Sequence, residues 1–138
     1  MNELSTEWDA LTPGQLLGPM RLTVSPAANE RYWRAAGVDH PALRAGALYP
    51  PIAANLTILC FQQTCPDAMI QTRQRLQCHR SAPADADLIT FGRVVSRYEK
   101  RGREYVDVEM AVITATEPDQ PLWTSWVTFT PTATLGIS

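Results

Sequence analysis

The chain has 138 residues, 45% of them hydrophobic and 19% charged, and its 12 basic and 14 acidic residues leave a formal net charge of −2. These values are typical of one soluble globular domain and exclude a disordered chain, a collagen-like chain and a basic nucleic-acid-binding protein. No apolar run is long enough to span a bilayer, and the acidic start of the chain lacks a signal-peptide pattern. We therefore expect a cytoplasmic protein with neither a membrane nor a nucleic acid as partner.

The predicted elements begin with a short strand. Residues 1–138 fit a single domain, and residues 1–12 are predicted to form a loose leader that ends at the turn residues Pro13 and Gly14. The apolar residues at the end of 15–24 alternate with other residues, which predicts the first strand there.

A helix is predicted next, over Ala27–Ala36. Ser25 can cap the free N–H groups of its first turn, and Pro26 is tolerated at the first helical position. Tyr32 lies on one face of this helix together with Ala35 and Ala36. Gly37 can adopt the left-handed conformation that ends a helix.

A long irregular segment follows, at residues 38–51. It contains three prolines and a glycine, which exclude a regular helix and a central strand. A connection of this length inside a small domain is often functional.

The second predicted helix spans residues from Ile52 to about Thr64, and Pro51 can occupy its first turn. Its residues are apolar nearly all round, which is typical of a buried helix. At 13 residues it is too short to cross a bilayer, since each residue adds about 1.5 Å. Cys65 and Pro66 end it.

The remainder of the chain is predicted to be β-structure. Alternating apolar residues and turn signals place four strands in this half, at 69–79, 88–98, 104–114 and 122–130. The last three are predicted to form an antiparallel meander, with a tight hairpin turn at residues 100–103. An α+β fold follows, in which the antiparallel sheet wraps around the central buried helix. This order of elements is typical of a single hotdog fold, and it also fits a generic α+β sandwich.

Several short motifs in this order resemble MaoC-like hydratases and dehydratases, and the N-terminal-type domain of the MaoC dehydratases in particular. Gly46-Ala47-Leu48-Tyr49-Pro50-Pro51-Ile52 is similar to the family's approach to the central helix. The β half is similar through Arg73-Gln74-Arg75-Leu76, Gly92-Arg93-Val94 and Tyr98-Glu99-Lys100-Arg101-Gly102. The resemblance covers residues 11 to 131. It implies a hotdog that handles acyl thioesters of CoA or acyl carrier protein and pairs with a second hotdog protomer.

The family places an aspartate and a histidine in a run of the form Asp-x-Asn-Pro-x-His. Hydration of a 2-enoyl thioester needs a base for water, an acid for the α-carbon and a backbone N–H at the helix start for the thioester oxygen. When the motif is anchored on Pro41, the aspartate position holds Val38, the asparagine position His40 and the histidine position Leu43. The resemblance therefore implies a departed dyad.

Most candidate site residues follow from this resemblance. Trp126 follows from the last strand, where Trp123 and Trp126 lie on opposite faces, so that one is predicted to be core and the other a dimer or ligand contact. The candidate catalytic residues lie in the irregular segment and are Asp39, His40 and Tyr49. The candidate substrate-binding residues are Gly46, Pro51, Ile52 and Trp126. The alternative roles are turn hydrogen bonding for Asp39 and His40, and packing for Tyr49.

Eleven of the twelve cations are arginine. Most of those on the strands are predicted to lie on a solvated face, and at most two or three could contact a nucleotide phosphate of CoA; the set is Arg73, Arg75, Arg80, Arg93, Arg97, Arg101 and Arg103. The cysteines are expected to be reduced and mostly buried, and His79 is predicted to lie at a surface. We expect no metal and no cofactor.

Three functions remain open at this point. The chain could hydrate or dehydrate an acyl thioester with its departed dyad. It could be a non-catalytic hotdog subunit that shapes the acyl tunnel of a heteromeric dehydratase. It could also be an altered hotdog enzyme, a thioesterase, a cyclase or a catalyst of conjugate addition, that acts on a carrier-bound acyl chain.

Overall fold

The sheet and its central helix dominate the fold. The computed structural model describes residues 7–37, 41, 45–67 and 69–132. Within them it contains a short 3-10 helix at Trp8–Ala10, two helices, α1 (Pro26–Ala35) and α2 (Ile52–Thr64), and five strands, β1 (Leu16–Leu22), β2 (Met69–Cys78), β3 (Leu88–Lys100), β4 (Arg103–Thr114) and β5 (Trp123–Pro131). The predicted α+β class is confirmed.

The five strands form one antiparallel sheet in the order β1-β3-β4-β5-β2. The predicted meander of β3, β4 and β5 is confirmed, and β3 extends two residues beyond its predicted end. Its hairpin turn has two central residues, Arg101 and Gly102, with φ of +53° and +75°. This geometry is that of a type I′ turn, whose twist matches the twist of the strands.

Helix α2 packs on one face of this sheet. Around its second half lies one core cluster, in which Phe61 stacks on Phe129 with ring centroids 4.2 Å apart. Around its first half lies another, which includes Ile52, Leu88 and Trp123. The prediction that α2 is buried is confirmed for most of its length, but Leu59 is 48% exposed, so one side of the helix faces outward.

Helix α1 begins as predicted, since Ser25 Oγ accepts a hydrogen bond of 3.1 Å from the Ala28 N–H and Pro26 is the first helical residue. The face that carries Tyr32 is exposed. The buried face instead carries Asn29 and Trp33, one turn apart.

The predicted loose leader needs a correction from residue 7 onward; residues 1–6 lie outside the described residues. Trp8 and Leu11 are buried in the core. The Trp8 N–H donates to Asp67 Oδ2 at 2.8 Å, and Arg97 donates to the carbonyls of Trp8 and Leu11. The residues that hold this segment, Asp67 and Arg97, are far away in the chain, so no local sequence pattern predicts its ordered structure.

None of the helices within the described residues is long and apolar enough to span a membrane. The same part of the chain holds no group of three or more His, Cys, Asp or Glu side chains arranged to bind a metal ion.

Candidate functional site

The candidate site is the segment 45–51 together with the start of α2. Four of the predicted site residues lie here: Gly46, Tyr49, Pro51 and Ile52. The candidate catalytic residues Asp39 and His40 lie outside the described residues, as do the two dyad positions Val38 and Leu43.

Helix α1 holds this segment from one side. Asn29 Nδ2 and Trp33 Nε1 both donate to the carbonyl oxygen of Ala47, each at 2.9 Å. Asn29 Oδ1 accepts from the Tyr49 N–H at 2.8 Å. The amide of Asn29 is 3% exposed and is thus satisfied at both ends by backbone groups. The side chain of Asn29 thus makes the two backbone hydrogen bonds that a neighbouring strand would make in a sheet.

Residues 82–84 hold the segment from the other side. The Leu48 N–H donates to Ala82 O at 2.8 Å, and the Ala84 N–H donates to Gly46 O at 2.9 Å. Gly46 has φ of +74°, which a side chain would disfavour. These hydrogen bonds on both sides fix the backbone conformation of the segment that leads into α2.

The ring of Tyr49 packs against aromatic neighbours. It meets Trp33 edge-on with centroids 5.0 Å apart and lies over Tyr32 at 6.4 Å. The residue is half-buried against the core cluster at the start of α2. Its hydroxyl makes no hydrogen bond to the described residues, so packing is its visible role.

The start of α2 lacks free backbone hydrogen-bond donors at five consecutive residues, 50–54. Pro50 and Pro51 have no N–H. The next three N–H groups donate to backbone carbonyls three residues earlier, at 3.0 to 3.1 Å: Ile52 to Tyr49, Ala53 to Pro50 and Ala54 to Pro51. In most helices the first N–H groups are free. The first turn of α2 thus offers none of these three to a thioester oxygen, contrary to what the resemblance implies.

Trp126 lies elsewhere. It is on β5, three residues after the buried Trp123, and its register partners are Glu109 and Arg75. It lines a cavity of about 180 Å³ with these residues on the face of the sheet away from α2. The structure does not bring Trp126 together with Tyr49 and Ile52.

The remaining candidates have ordinary surroundings. His79 is exposed, as predicted, with Nε2 2.9 Å from Thr124 Oγ1. All three cysteines are free thiols; Cys60 and Cys65 are buried, and Cys78 is exposed. Burial raises the pKa of Cys60 and of Cys65 to about 11, so both thiols are protonated and unreactive at neutral pH.

Sequence reasoning missed Asn29 and Trp33. The available signal was their spacing: an asparagine and a tryptophan at i and i+4 share one helix face, and both side chains need hydrogen-bond partners when buried. That signal points to a contact but does not say with which residues.

Replacing Asn29 by leucine should destabilise the fold by about 2–3 kcal/mol, because the buried N–H of Tyr49 loses its acceptor while the carbonyl of Ala47 keeps only Trp33. Urea denaturation measures the change. The control is Asn55→Leu on the exposed side of α2, where we expect a change within about 0.5 kcal/mol. Equal stability of the two variants would show that the hydrogen bonds of Asn29 to Ala47 and Tyr49 do not stabilise the fold.

No protein-family model matches the sequence, and neither does any curated protein. Solved structures do match. The (R)-hydratase from A. caviae involved in PHA biosynthesis gives a TM-score of 0.72 over 87% of this chain and 96% of that chain, at 13% identity. A MaoC-like dehydratase from Rhodospirillum rubrum gives 0.71 over 90% and 94%, at 15% identity.

A third match is the C-terminally truncated HadBC complex, a (3R)-hydroxyacyl-ACP dehydratase from Mycobacterium tuberculosis. Its TM-score is 0.68 over 86% of this chain and 96% of that chain, at 19% identity. At such identities the likeness shows the fold alone. The predicted hotdog fold is confirmed, and its structural neighbours are MaoC-like dehydratases and (R)-hydratases.

Proposed function

We propose that the protein is one subunit of an acyl-thioester hydratase or dehydratase whose second hotdog chain supplies the catalytic acid and base. The observation that carries this proposal is the start of α2. Pro50 and Pro51 have no N–H there, and the next three N–H groups are already donated to backbone carbonyls.

The chemistry explains why this observation matters. Water addition to a 2-enoyl thioester builds negative charge on the thioester oxygen, and a donor held in place lowers that barrier. The same reaction needs a base and an acid at fixed positions. In this chain the aspartate and histidine positions hold Val38 and Leu43, so all three functions are missing from the places where the family has them.

The acyl chain has some apolar surface to contact. The half-buried ring of Tyr49 is partly accessible and packs against Leu48 and Ile52, which are buried in the core behind it. The (3R)-hydroxyacyl-ACP dehydratase HadBC is itself a complex, and its structure matches this chain. This supports a tunnel-forming role beside a catalytic subunit.

We propose that the second hotdog chain adds to the sheet along β2. Strands β1 and β2 are the two edges. Pro19, in the middle of β1, has no N–H to give to another strand. Strand β2 has ten residues and no proline, so its outer edge offers a long row of backbone groups to a partner.

The test mixes the purified chain with a hotdog protein of the same organism that carries an intact Asp-x-Asn-Pro-x-His motif. Hydration is followed by the loss of 2-enoyl-CoA absorbance, for short and medium acyl chains, and the assembly by native mass spectrometry. We expect no turnover by this chain alone, and a heteromer whose rate exceeds that of the second chain alone by at least about tenfold.

Three outcomes would overturn the proposal. A strict homodimer that neither binds a second hotdog chain nor raises its rate would exclude the subunit role. Turnover by this chain alone, lost in Asp39→Asn or His40→Gln, would instead identify an enzyme with a departed dyad. Hydrolysis or cyclisation of the thioester by the chain alone would identify the altered hotdog enzyme.

A further inference from the structure

A cationic cleft lies at the hairpin end of the sheet. Arg73 of β2, Lys100 of β3 and Arg101 of the turn line a cavity of about 280 Å³ together with Tyr98 and Tyr105. Tyr105 alternates along β4 with the buried Val106, so the cleft is on the face of the sheet away from α2.

The three cations of this cleft have no carboxylate partner among the described residues. Elsewhere on the sheet, Arg21 pairs with Asp87 and Arg93 with Glu109, whereas Arg75 and Arg103 also have no carboxylate partner among the described residues. What sets the cleft apart is that its three unpaired cations line one cavity. The cleft cations repel one another, and the uncompensated charge favours an anion between them.

The acid beside the cleft is occupied by hydroxyl groups. Asp107 accepts hydrogen bonds from Ser96 at 3.0 Å, from Thr128 at 2.7 Å and from Tyr98 at 3.2 Å. Burial, and then the Asp107 carboxylate, raises the pKa of Tyr98, so its phenol stays neutral. The single carboxylate of Asp107 thus lies beside three cations, and its hydrogen bonds hold the Tyr98 and Thr128 side chains that line the cleft.

The other acids of this end have partners or point elsewhere. Glu104 accepts from the Trp8 indole at 3.1 Å and lies near Arg97. Glu99 sits between Tyr98 and Lys100 along β3, so it faces the opposite side of the strand. The positive charge of the cleft is therefore not cancelled.

The backbone at Arg101 has the conformation that the type I′ hairpin turn requires. Its φ of +53° places it in the left-handed region, at the turn position where asparagine or glycine is favoured. A side chain such as arginine costs about 1–2 kcal/mol there.

We propose that this cleft binds the phosphate groups of the acyl carrier, which are those of a CoA nucleotide or of phosphopantetheine. The identity of the carrier rests on the proposed function; the anion chemistry does not. Arginine forks match phosphate oxygens in pairs, and Lys100 adds a point charge. The cavity is slightly smaller than pockets that enclose a whole ligand, which run to roughly 300–1,000 Å³, so it suits one end of a long molecule.

The cleft serves the thioester site of the partner, not that of its own chain. Strand β2 runs from Met69, near the cleft, to Cys78, which pairs with Trp123 beside the start of α2. If two β2 strands pair antiparallel, the cleft end of one faces the helix-start end of the other. Because the cleft lies on the outer face of the sheet and α2 on the inner face, a carrier held by Arg73 has to pass around the end of the sheet to reach the partner's catalytic residues.

The experiment measures binding of two ligands, adenosine 3′,5′-bisphosphate and phosphopantetheine, by calorimetry at low salt. We expect binding of at least one, weakened about tenfold by Arg73→Gln, Lys100→Gln or Arg101→Asn, as the loss of one charge-assisted contact implies. The matched control Arg31→Gln removes an exposed guanidinium from α1 and leaves affinity unchanged. Tighter binding of the bisphosphate identifies CoA; tighter binding of phosphopantetheine identifies a carrier protein's arm.

Arg101→Asn gives a second readout of opposite sign. We expect this variant to raise the melting temperature while it weakens phosphate binding, because asparagine suits the turn and arginine suits the ligand. Absence of binding by both ligands, or an equal loss in Arg31→Gln, would overturn the inference and leave the subunit role untouched. Binding that depends on the cleft in a protein that assists no hydration would instead retain the anion site and remove the proposed function.

Discussion

Replacing Phe61 by alanine is expected to destabilise the protein by about 3–5 kcal/mol. The ring is fully buried in the second half of α2 and stacks on Phe129 with an interplanar angle of 9°. Its removal leaves a cavity between the central helix and β5, and the surrounding sheet can close it only in part. Since domains of this size have only about 5–15 kcal/mol of stability, much of the protein should be unfolded at moderate temperature.

The control for this variant is Leu59→Ala, two residues earlier on the same helix. Leu59 is 48% exposed, so its truncation should cost well under half as much. Urea and thermal denaturation give both values. If the two variants lost equal stability, Phe61 would not lie in the main core.

Replacing Gly92 by alanine should also be severe, at about 3 kcal/mol or more. A Cβ at this position would lie 2.2 Å from the carbonyl oxygen of Glu109 and 2.4 Å from Met110 Sδ. The oxygen belongs to the backbone of β4, which is the register neighbour of β3 here. It cannot move away without a break in the ladder between the two strands.

The matched control is Gly14→Ala. Gly14 has φ of +90° but nothing within 4 Å of its would-be Cβ, so only backbone strain of about 1–2 kcal/mol is expected. Denaturation midpoints and the yield of folded protein measure the difference. A smaller loss for Gly92→Ala than for Gly14→Ala would show that β3 and β4 are farther apart than described.

The start of α2 connects the fold to the proposed role. Two prolines and three backbone hydrogen bonds make the start of the helix rigid, and the hydrogen bonds of Asn29 fix the segment before it. A rigid, apolar and donor-poor end suits a wall of a tunnel better than a site of developing charge. The cationic cleft at the other end of the sheet gives the same chain its proposed role in phosphate binding.

Much of the fold could be predicted from local signals. Ser25 and Pro26 begin α1, Pro51 precedes α2, and the Arg101–Gly102 turn joins β3 to β4. Each depends on the conformational preferences of a few adjacent residues, or on the alternation of side chains along one strand. The motif order was also enough to predict the hotdog fold, which the structural neighbours confirm.

The candidate site was predicted less completely. Tyr49 and Ile52 lie together at the start of α2, whereas Trp126 lies on the opposite face of the sheet, and the functional roles of all three stay predictions. The donors missing from the first turn of α2 could have been suspected from Pro50 and Pro51 alone. The closure of the next three N–H groups could not, because it depends on the path of the preceding segment.

The sequence by itself determined the helices, the strands and their turns, because the interactions that make them join residues close in the chain. Only the tertiary structure decided that Asn29 reads the backbone of Ala47 and Tyr49, and that Trp8 packs against the far end of the sheet. It also decided that Arg73 lines one cavity with Lys100 and Arg101, because β2 pairs with β5 in a register that puts Arg73 opposite Thr128, 55 residues later in the chain. Such contacts depend on how distant segments pack together, which no local pattern encodes.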